Sequence, residues 1–353
     1  MLSGLLAILV FVVCFAVMPF VIRMAPALLL MDHPDHRKGH RHPTPVVGGL
    51  GMAVSLTVLL VAQLFLSLPG LWLWLCLAPL LLVGLIDDRM ELSYRLRFVC
   101  HMLVGAVMAC AGDVALHNLG NLLGLGPILV GVMAVPLTMF AVASAVNSLN
   151  LIDGLDGLAS GIALIPLIIM APLCLQYALD IQFMFCMVFI ATTCAFMLYN
   201  FPGLRGNRPR TFLGDSGSSL LGFVGVYLLI DLSQRGVIYP ITALFILAWP
   251  LMDTAAVILR RRSLGLTPMT AGRDHIHHLL LDAGFGRTIA VLTVQVSSLL
   301  FAMLGLALMY FPEPISFVVY LASLFAYLWF TRFPKKTSRY LRQVFRLPER
   351  GGV

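Results

Sequence analysis

Charge is what this chain has least of. Asp, Glu, Lys and Arg make up 11% of its 353 residues, against about a quarter in soluble domains. With 60% of residues hydrophobic, too little polar surface remains to keep a globular fold in water, so a soluble protein is excluded. Cysteine chemistry is also missing. Cys14, Cys76, Cys100, Cys110, Cys174, Cys186 and Cys194 all lie in apolar stretches, with no CxxC pair and no zinc-like spacing. They read as small hydrophobes within helices. The opening Met1-Leu2-Ser3-Gly4 lacks the basic start of a cleavable signal peptide, so the first apolar run reads as a retained helix. No Ser/Gly linker, charge run or short internal repeat separates a soluble domain. A single transmembrane domain over 1–353, ending in a basic tail over 332–353, is expected.

What is present is long apolar runs. A bilayer-crossing helix needs roughly 20 apolar residues, and a helical bundle satisfies its backbone amides internally, as lipid demands. The runs predict an all-α polytopic bundle of about eleven spans, at 2–22, 46–67, 70–86, 97–112, 127–146, 158–175, 181–200, 217–232, 238–258, 288–310 and 315–331. On that count 22 of the 23 Lys and Arg residues fall on one side, and Arg235 alone lies opposite. The positive-inside rule then places the C-terminus in the cytoplasm and the N-terminus outside. Carboxylates are under no such rule, yet 12 of 16 share the basic side and gather at helix ends. A transporter would be expected to keep ionisable groups near mid-membrane. The distribution favours chemistry at the interface, in a catalytic domain, over passage across it.

Asp87-Asp88 closes the third run. Adjacent carboxylates repel, so a cation or a shared proton is expected there, as a magnesium ligand, a general base, or a solvated helix end paired with Arg89 or Arg95. From Asn147 to Gly157, Asn147, Asn150, Asp153 and Asp156 recur every third residue, with no Lys or Arg nearby. If helical, neighbouring members share a face. Two carboxylates without local charge partners are costly unless a cation or ligand meets them. Phe212-Leu213-Gly214-Asp215-Ser216-Gly217-Ser218-Ser219 opens the eighth run, where small residues around one Asp suit a phosphate and metal pocket, or a simple N-cap. Asp253, deep in an apolar run, is either a direct ligand or half of an internal ion pair. Arg260-Arg261-Arg262 suits a diphosphate or anionic lipid. His275-Ile276-His277-His278 after Arg273-Asp274 suggests metal binding, a phosphate clamp or proton transfer. With Asp32-His33-Pro34 and His40-Arg41-His42, these loops mix cations and carboxylates in a way that suits a nucleotide diphosphate with magnesium.

Together the motifs resemble the polyprenyl-phosphate N-acetylhexosamine-1-phosphate transferase family, glycosyltransferase family 4. The resemblance runs over nearly the whole chain: the Arg37-Lys38 loop with Pro45-Val46-Val47-Gly48-Gly49, Asp87-Asp88, Asn147 to Gly157, Phe212 to Ser219, Asp253 and His275 to His278. It implies transfer of a sugar 1-phosphate from a UDP-sugar to undecaprenyl phosphate with release of UMP, with magnesium, or manganese in its place, in a bacterial inner membrane. His275-Ile276-His277-His278-Leu279 is most similar to the WecA-type branch, which uses UDP-N-acetylglucosamine. The muramoyl-pentapeptide branch carries three consecutive histidines and an early Lys-x-Gly-Thr-Pro, where this chain has His42-Pro43-Thr44-Pro45. UDP-N-acetylquinovosamine and UDP-N-acetylfucosamine remain alternative donors. By resemblance, Asp215 is the main magnesium ligand, helped by Asp87 or Asp88, whose other member orients or deprotonates the lipid phosphate. Asn147, Asn150, Asp153 and Asp156 line the nucleotide and acceptor site. His275, His277 and His278, with Arg260 and Arg261, hold the diphosphate or sugar. The partners implied are the two substrates, the lipid bilayer and, as an option, a second copy as a homodimer, with no nucleic acid polymer.

Overall fold

The structure, a computed structural model, describes residues 1–34, 42–201, 208–267, 272 and 274–348. The Asp35-to-Arg41 segment, Arg205, Arg273, Glu349 and Arg350 lie outside the described residues, so the Arg37-Lys38 part of the resemblance has no structural counterpart here. The chain divides into two compact units, Met1–His117 with Val130–Val237, and Asn118–Leu129 with Ile238–Val353.

The first unit holds eight helices: α1 (Leu2–Leu28), α2 (Gly48–Phe65), α3 (Trp74–Met90), α4 (Tyr94–Ala111), α5 (Ala134–Ile152), α6 (Leu158–Gln176), α7 (Asp180–Asn200) and α8 (Gly214–Gln234). Two short strands, β1 (Met31–Asp32) and β2 (Thr44–Pro45), pair antiparallel behind α1. Between α1 and α8, burial runs opposite to apolarity. In α1, the most apolar helix, only a third of the spanning window is buried, whereas in α8 the whole window is. That inversion follows from the solvent: lipid rewards apolar side chains outside, and close helix packing rewards small ones inside. Ser216, Gly217, Ser218, Ser219, Gly222 and Gly225 give α8 its thin profile. The approach is close enough that a Cβ on Gly84 of α3 would sit 2.3 Å from the Ser216 Cα, and one on Gly49 of α2 would sit 2.3 Å from the Gly217 nitrogen. Glycine at 49 and 84 therefore lets α2 and α3 clasp the start of α8.

The second unit holds α9 (Pro240–Ile246), α10 (Ala248–Ser263), α11 (Ile276–Ala283), α12 (Arg287–Leu308), α13 (Glu313–Thr331) and α14 (Pro334–Val344). The straight span expected at 238–258 is instead α9 and α10, bent by 76° at Leu247. Pro250 explains the break. It has no N–H for the Ile246 carbonyl, and its ring crowds that carbonyl, so α9 ends at Ile246. Among the described residues, ten helices are long and apolar enough to cross a membrane, and the bent pair makes eleven. Two further boundaries differ from expectation. α3 runs on through Asp87-Asp88 to Met90, and α4 starts at Tyr94, capped by the Ser93 hydroxyl, which accepts from the Leu96 amide at 3.4 Å. Arg95 and Arg97, expected in a loop, are therefore in the first turns of a helix. α11 and α14, both short, were not expected.

Candidate active site

In the first unit, the end of α3, the start of α4, the end of α5 and the start of α8 bring one group of polar side chains together. Asp87, in the last turn of α3, is 4% exposed. Its Oδ1 accepts from the Leu92 amide at 2.6 Å, closing the turn into α4, and its Oδ2 accepts a short bond from Arg97 Nη1. The same Nη1 donates to Asp215 Oδ2 at 3.0 Å. Asp215 Oδ1 accepts from Asn150 Nδ2, which also lies 3.2 Å from Ser218 Oγ. Asp88 does something different. Its Oδ1 accepts from the Asp215 amide at 2.7 Å, and its Oδ2 from the Ser216 amide at 3.2 Å and hydroxyl at 2.8 Å. A carboxylate on α3 thus caps α8, meeting both the unpaired amides and the positive end of the helix dipole.

Asp87 and Asp215 share one guanidinium, and Asp88 makes a third carboxylate behind them. If all ionise, the cluster carries a net charge of −2, which the helix dipole offsets by only about half a unit. Among the described residues no three His, Cys, Asp or Glu side chains already converge as an ion's ligands. Arg97 stands between Asp87 and Asp215 instead. The donor set nonetheless fits a hard divalent ion, which takes carboxylate and carbonyl oxygens. Asp215 is the accessible member, with a side chain 31% exposed against 2% for Asp87.

The Asn147-to-Gly157 motif splits at the end of α5. Asn147 and Asn150 are inside the helix, Asn147 being buried, while Asp153 follows its last residue and Asp156 lies in the turn before α6. The Asn200 side-chain oxygen holds that turn, accepting from the Gly157 amide at 2.6 Å. Asp153 keeps some exposure, but the protein packed around its carboxyl disfavours the charged form. That burial, then the negative charges of Asp156 and Asp88, push its pKa up to about 8. Asp153 is thereby tied electrostatically to the Asp88 end of the cluster.

Sequence reasoning took Arg97 only as a marker of topology. A signal was present: a cation in the first turns of a helix opposes the dipole, so something else must favour it, and here two carboxylates do. His101, one turn further along α4 on the same face, was also missed. It is 4% exposed, and its Nδ1 has no hydrogen-bond partner among the described residues, as is true of Arg97 Nε.

The second unit gathers the other expected residues. Asp253 on α10 has three partners within the second unit. Its Oδ1 accepts from the Ile276 amide at 3.0 Å and the Tyr327 hydroxyl at 2.8 Å, and its Oδ2 lies 2.7 Å from His275 Nδ1. Asp253 is thus an anchor for the start of α11. Arg261 Nη2 lies 2.5 Å from Asp274 Oδ1, and Arg260 Nη2 lies 3.1 Å from Asp274 Oδ2 and 2.6 Å from the Asp274 carbonyl. Arg260 Nη1 also donates to the Thr331 carbonyl at 2.8 Å. Burial works against the charged Asp274, but the bonds from Arg261 and Arg260 outweigh it and hold the carboxyl below its usual range. The His275 and His277 rings stack at 5.9 Å between centroids, with His278 4.2 Å from His277.

The sequence is similar to known proteins. The model of glycosyl transferase family 4 matches residues 71–233, the stretch that carries Asp87, Arg97, Asn150 and Asp215. An undecaprenyl-phosphate α-N-acetylglucosaminyl 1-phosphate transferase of Yersinia pestis is 33% identical, over 91% of this chain and 89% of its own length. Proteins with the same description from Escherichia coli strain K12 (31% identical, 93% and 90% covered) and Haemophilus influenzae (30% identical, 91% and 92% covered) are similar too. With that coverage, and with the motifs in place at the ends of membrane-spanning helices, the chain belongs to glycosyl transferase family 4.

Proposed function

We propose that this enzyme transfers N-acetylglucosamine 1-phosphate from UDP-N-acetylglucosamine to undecaprenyl phosphate. It releases UMP and leaves undecaprenyl-diphosphate-N-acetylglucosamine, the first membrane step of a cell-surface glycan such as O-antigen. The observation that carries this reading is the Asp87–Arg97–Asp215 bridge, two acids on one base with Asp88 behind them, where the ends of four helices meet. The relatives' shared description supplies the donor and acceptor. The positive-inside distribution supports a bacterial inner membrane with the N-terminus outside and the Asp cluster facing the cytoplasm.

Asp215 and Asp87 would hold magnesium, or manganese, with Arg97 yielding its place. Bound there, the ion would neutralise diphosphate charge and polarise a phosphoryl oxygen. Arg97, once displaced, has a planar fork suited to phosphate oxygens. The acceptor's phosphate oxygen attacks the sugar-bearing phosphorus of the donor, and the bond to the UMP phosphate breaks. Asp153, whose raised pKa lies near neutrality, takes up the acceptor's proton. Asp88 positions rather than touches substrate, because both its oxygens are committed to α8. Asn150 orients Asp215 in the same way, while Asn147 and Asp156 line the nucleotide side. In the second unit, Arg260 and Arg261 brace Asp274, and His275, His277 and His278 beside it are of a type that would bind a diphosphate or sugar.

The deciding experiment incubates purified protein with undecaprenyl phosphate, magnesium and a panel of labelled UDP-sugars. Label should move into the lipid extract from UDP-N-acetylglucosamine, with one UMP released per lipid product. Preference for the N-acetylquinovosamine or N-acetylfucosamine donor, or for the muramoyl-pentapeptide, would overturn the donor assignment. Uptake into proteoliposomes without UMP would mean a transporter.

A further inference from the structure

The α14 helix is not used by the chemistry above. It is 11 residues long, so it reaches only about 16 Å, half of what a bilayer core requires. It cannot cross, yet it starts at the end of a helix that can. The Thr337 hydroxyl donates to the Phe330 carbonyl at 2.5 Å, and the Thr337 amide to the Phe333 carbonyl at 2.9 Å. The first bond ties the first turn of α14 to the last turn of α13 and so fixes its depth, and the second opens α14 itself.

One face of α14 is occupied. The Ser338 hydroxyl donates to the Leu279 carbonyl at 3.0 Å, and Arg342 Nη2 donates to the Asp282 carbonyl at 2.7 Å, both on α11. Beside that face runs an apolar stripe. Phe333, Tyr340 and Val344 fall on one line by helical spacing, and each is more than half exposed. Beyond the stripe stand Lys336 and Arg339, with Lys335 further round. Two cations lie over the Phe333 ring, with Lys336 Nζ 5.0 Å and Arg332 Cζ 5.2 Å from its centre. Residues 332–348 include six Lys or Arg and no acid.

We infer that α14 is an interfacial anchor whose exposed stripe inserts among the headgroups of an anionic lipid surface while Lys335, Lys336 and Arg339 engage lipid phosphates. Each feature has its reason. Aromatic and aliphatic side chains beside basic ones suit the boundary between headgroup and acyl chain. A cationic flank gains from anionic lipid in a way a neutral one does not. A protein partner would also meet an apolar stripe, but it would not need a uniformly basic flank at the depth where a span ends. The anchor also matters for α11, which carries His277 and His278. Through Ser338 and Arg342, the lipid surface sets the height at which α11 is held.

The test places the full-length enzyme in nanodiscs of phosphatidylcholine alone or with phosphatidylglycerol, and follows amide hydrogen exchange over 334–345. Exchange should slow by about tenfold or more with anionic lipid, as expected for several surface cations gaining attraction together. The triple variant Lys335→Gln, Lys336→Gln, Arg339→Gln should lose that lipid dependence while α12 and α13 exchange as before. Tyr340→Ser with Val344→Ser should raise exchange in both lipids. Equal exchange of the unaltered protein in the two lipids, or lipid dependence that survives in the triple variant, overturns the proposal. None of these readouts requires the enzyme to be active, so the result stands apart from the transfer reaction.

Discussion

At the scale of single residues, two neighbouring aspartates have been given different work. Asp87 faces Arg97, while Asp88 faces backward into the start of α8. Asp88→Ala should therefore lower both activity and thermal stability, since a lost helix cap costs about 1–2 kcal/mol. Asp215→Asn should separate the two properties. It removes one of three mutually repelling carboxylates, so the melting temperature in detergent should hold or rise, while transfer of labelled sugar phosphate falls by about 10²-fold or more. Unchanged transfer would take Asp215 out of the site. The pH dependence belongs to Asp153. Its raised pKa means the folded protein keeps that proton up to about pH 8, and a base acts only once deprotonated. Transfer should therefore climb with pH through neutrality and level off above about 8, and Asp153→Asn should flatten the slope as well as reduce the rate. A profile already level at pH 6 in the unaltered enzyme would remove Asp153 as proton acceptor. The acids of this site were legible in the sequence because unpaired carboxylates beside apolar runs are expensive. Arg97 was not, because a basic residue near a span is ordinary until its partners are known.

At the scale of elements, the site depends on how closely α8 can be approached. Its burial was hidden in the sequence, where small and hydroxyl residues make it one of the less apolar runs. The distance constraint appears only with the fold, at Gly49 and Gly84. Gly84→Ala would place a methyl group 2.3 Å from the Ser216 Cα, against backbone that cannot swing aside. The expected cost is about 1–3 kcal/mol of overpacking. Because Ser216 is a partner of Asp88, activity should fall along with the melting temperature. Gly4, with nothing within 4 Å of its would-be Cβ, supplies the control: Gly4→Ala should leave both unchanged. Comparable activity and melting in the two variants would mean that α3 and α8 are not in register as described. Pro250 belongs to the same scale. Its presence in the run was visible, but whether a proline kinks a span or breaks it is decided by the packing of the two halves.

At the scale of the whole molecule, everything rests on the number of crossings being odd. Ten single helices alone would return the C-terminus to the side of the N-terminus. The bent pair α9 and α10, counted as one span, makes an eleventh crossing, and an odd count is what the expected cytoplasmic C-terminus requires. Reporter fusions decide between these. A fluorescent protein that matures only in the cytoplasm should light up when fused after Val353, and alkaline phosphatase should be active when fused after Arg235. Arg235 is the one basic residue assigned outside, and a single basic residue is outweighed by the 22 expected on the other side; its Nε lies 2.9 Å from both oxygens of Asp231, four residues earlier. Because the rule counts Lys and Arg and carboxylates contribute little to it, Asp231→Asn should leave the phosphatase fusion after Arg235 active. Were the C-terminal fusion dark while the Arg235 fusion stayed active, α9 and α10 would not form one crossing, and the assignment of all later loops would reverse.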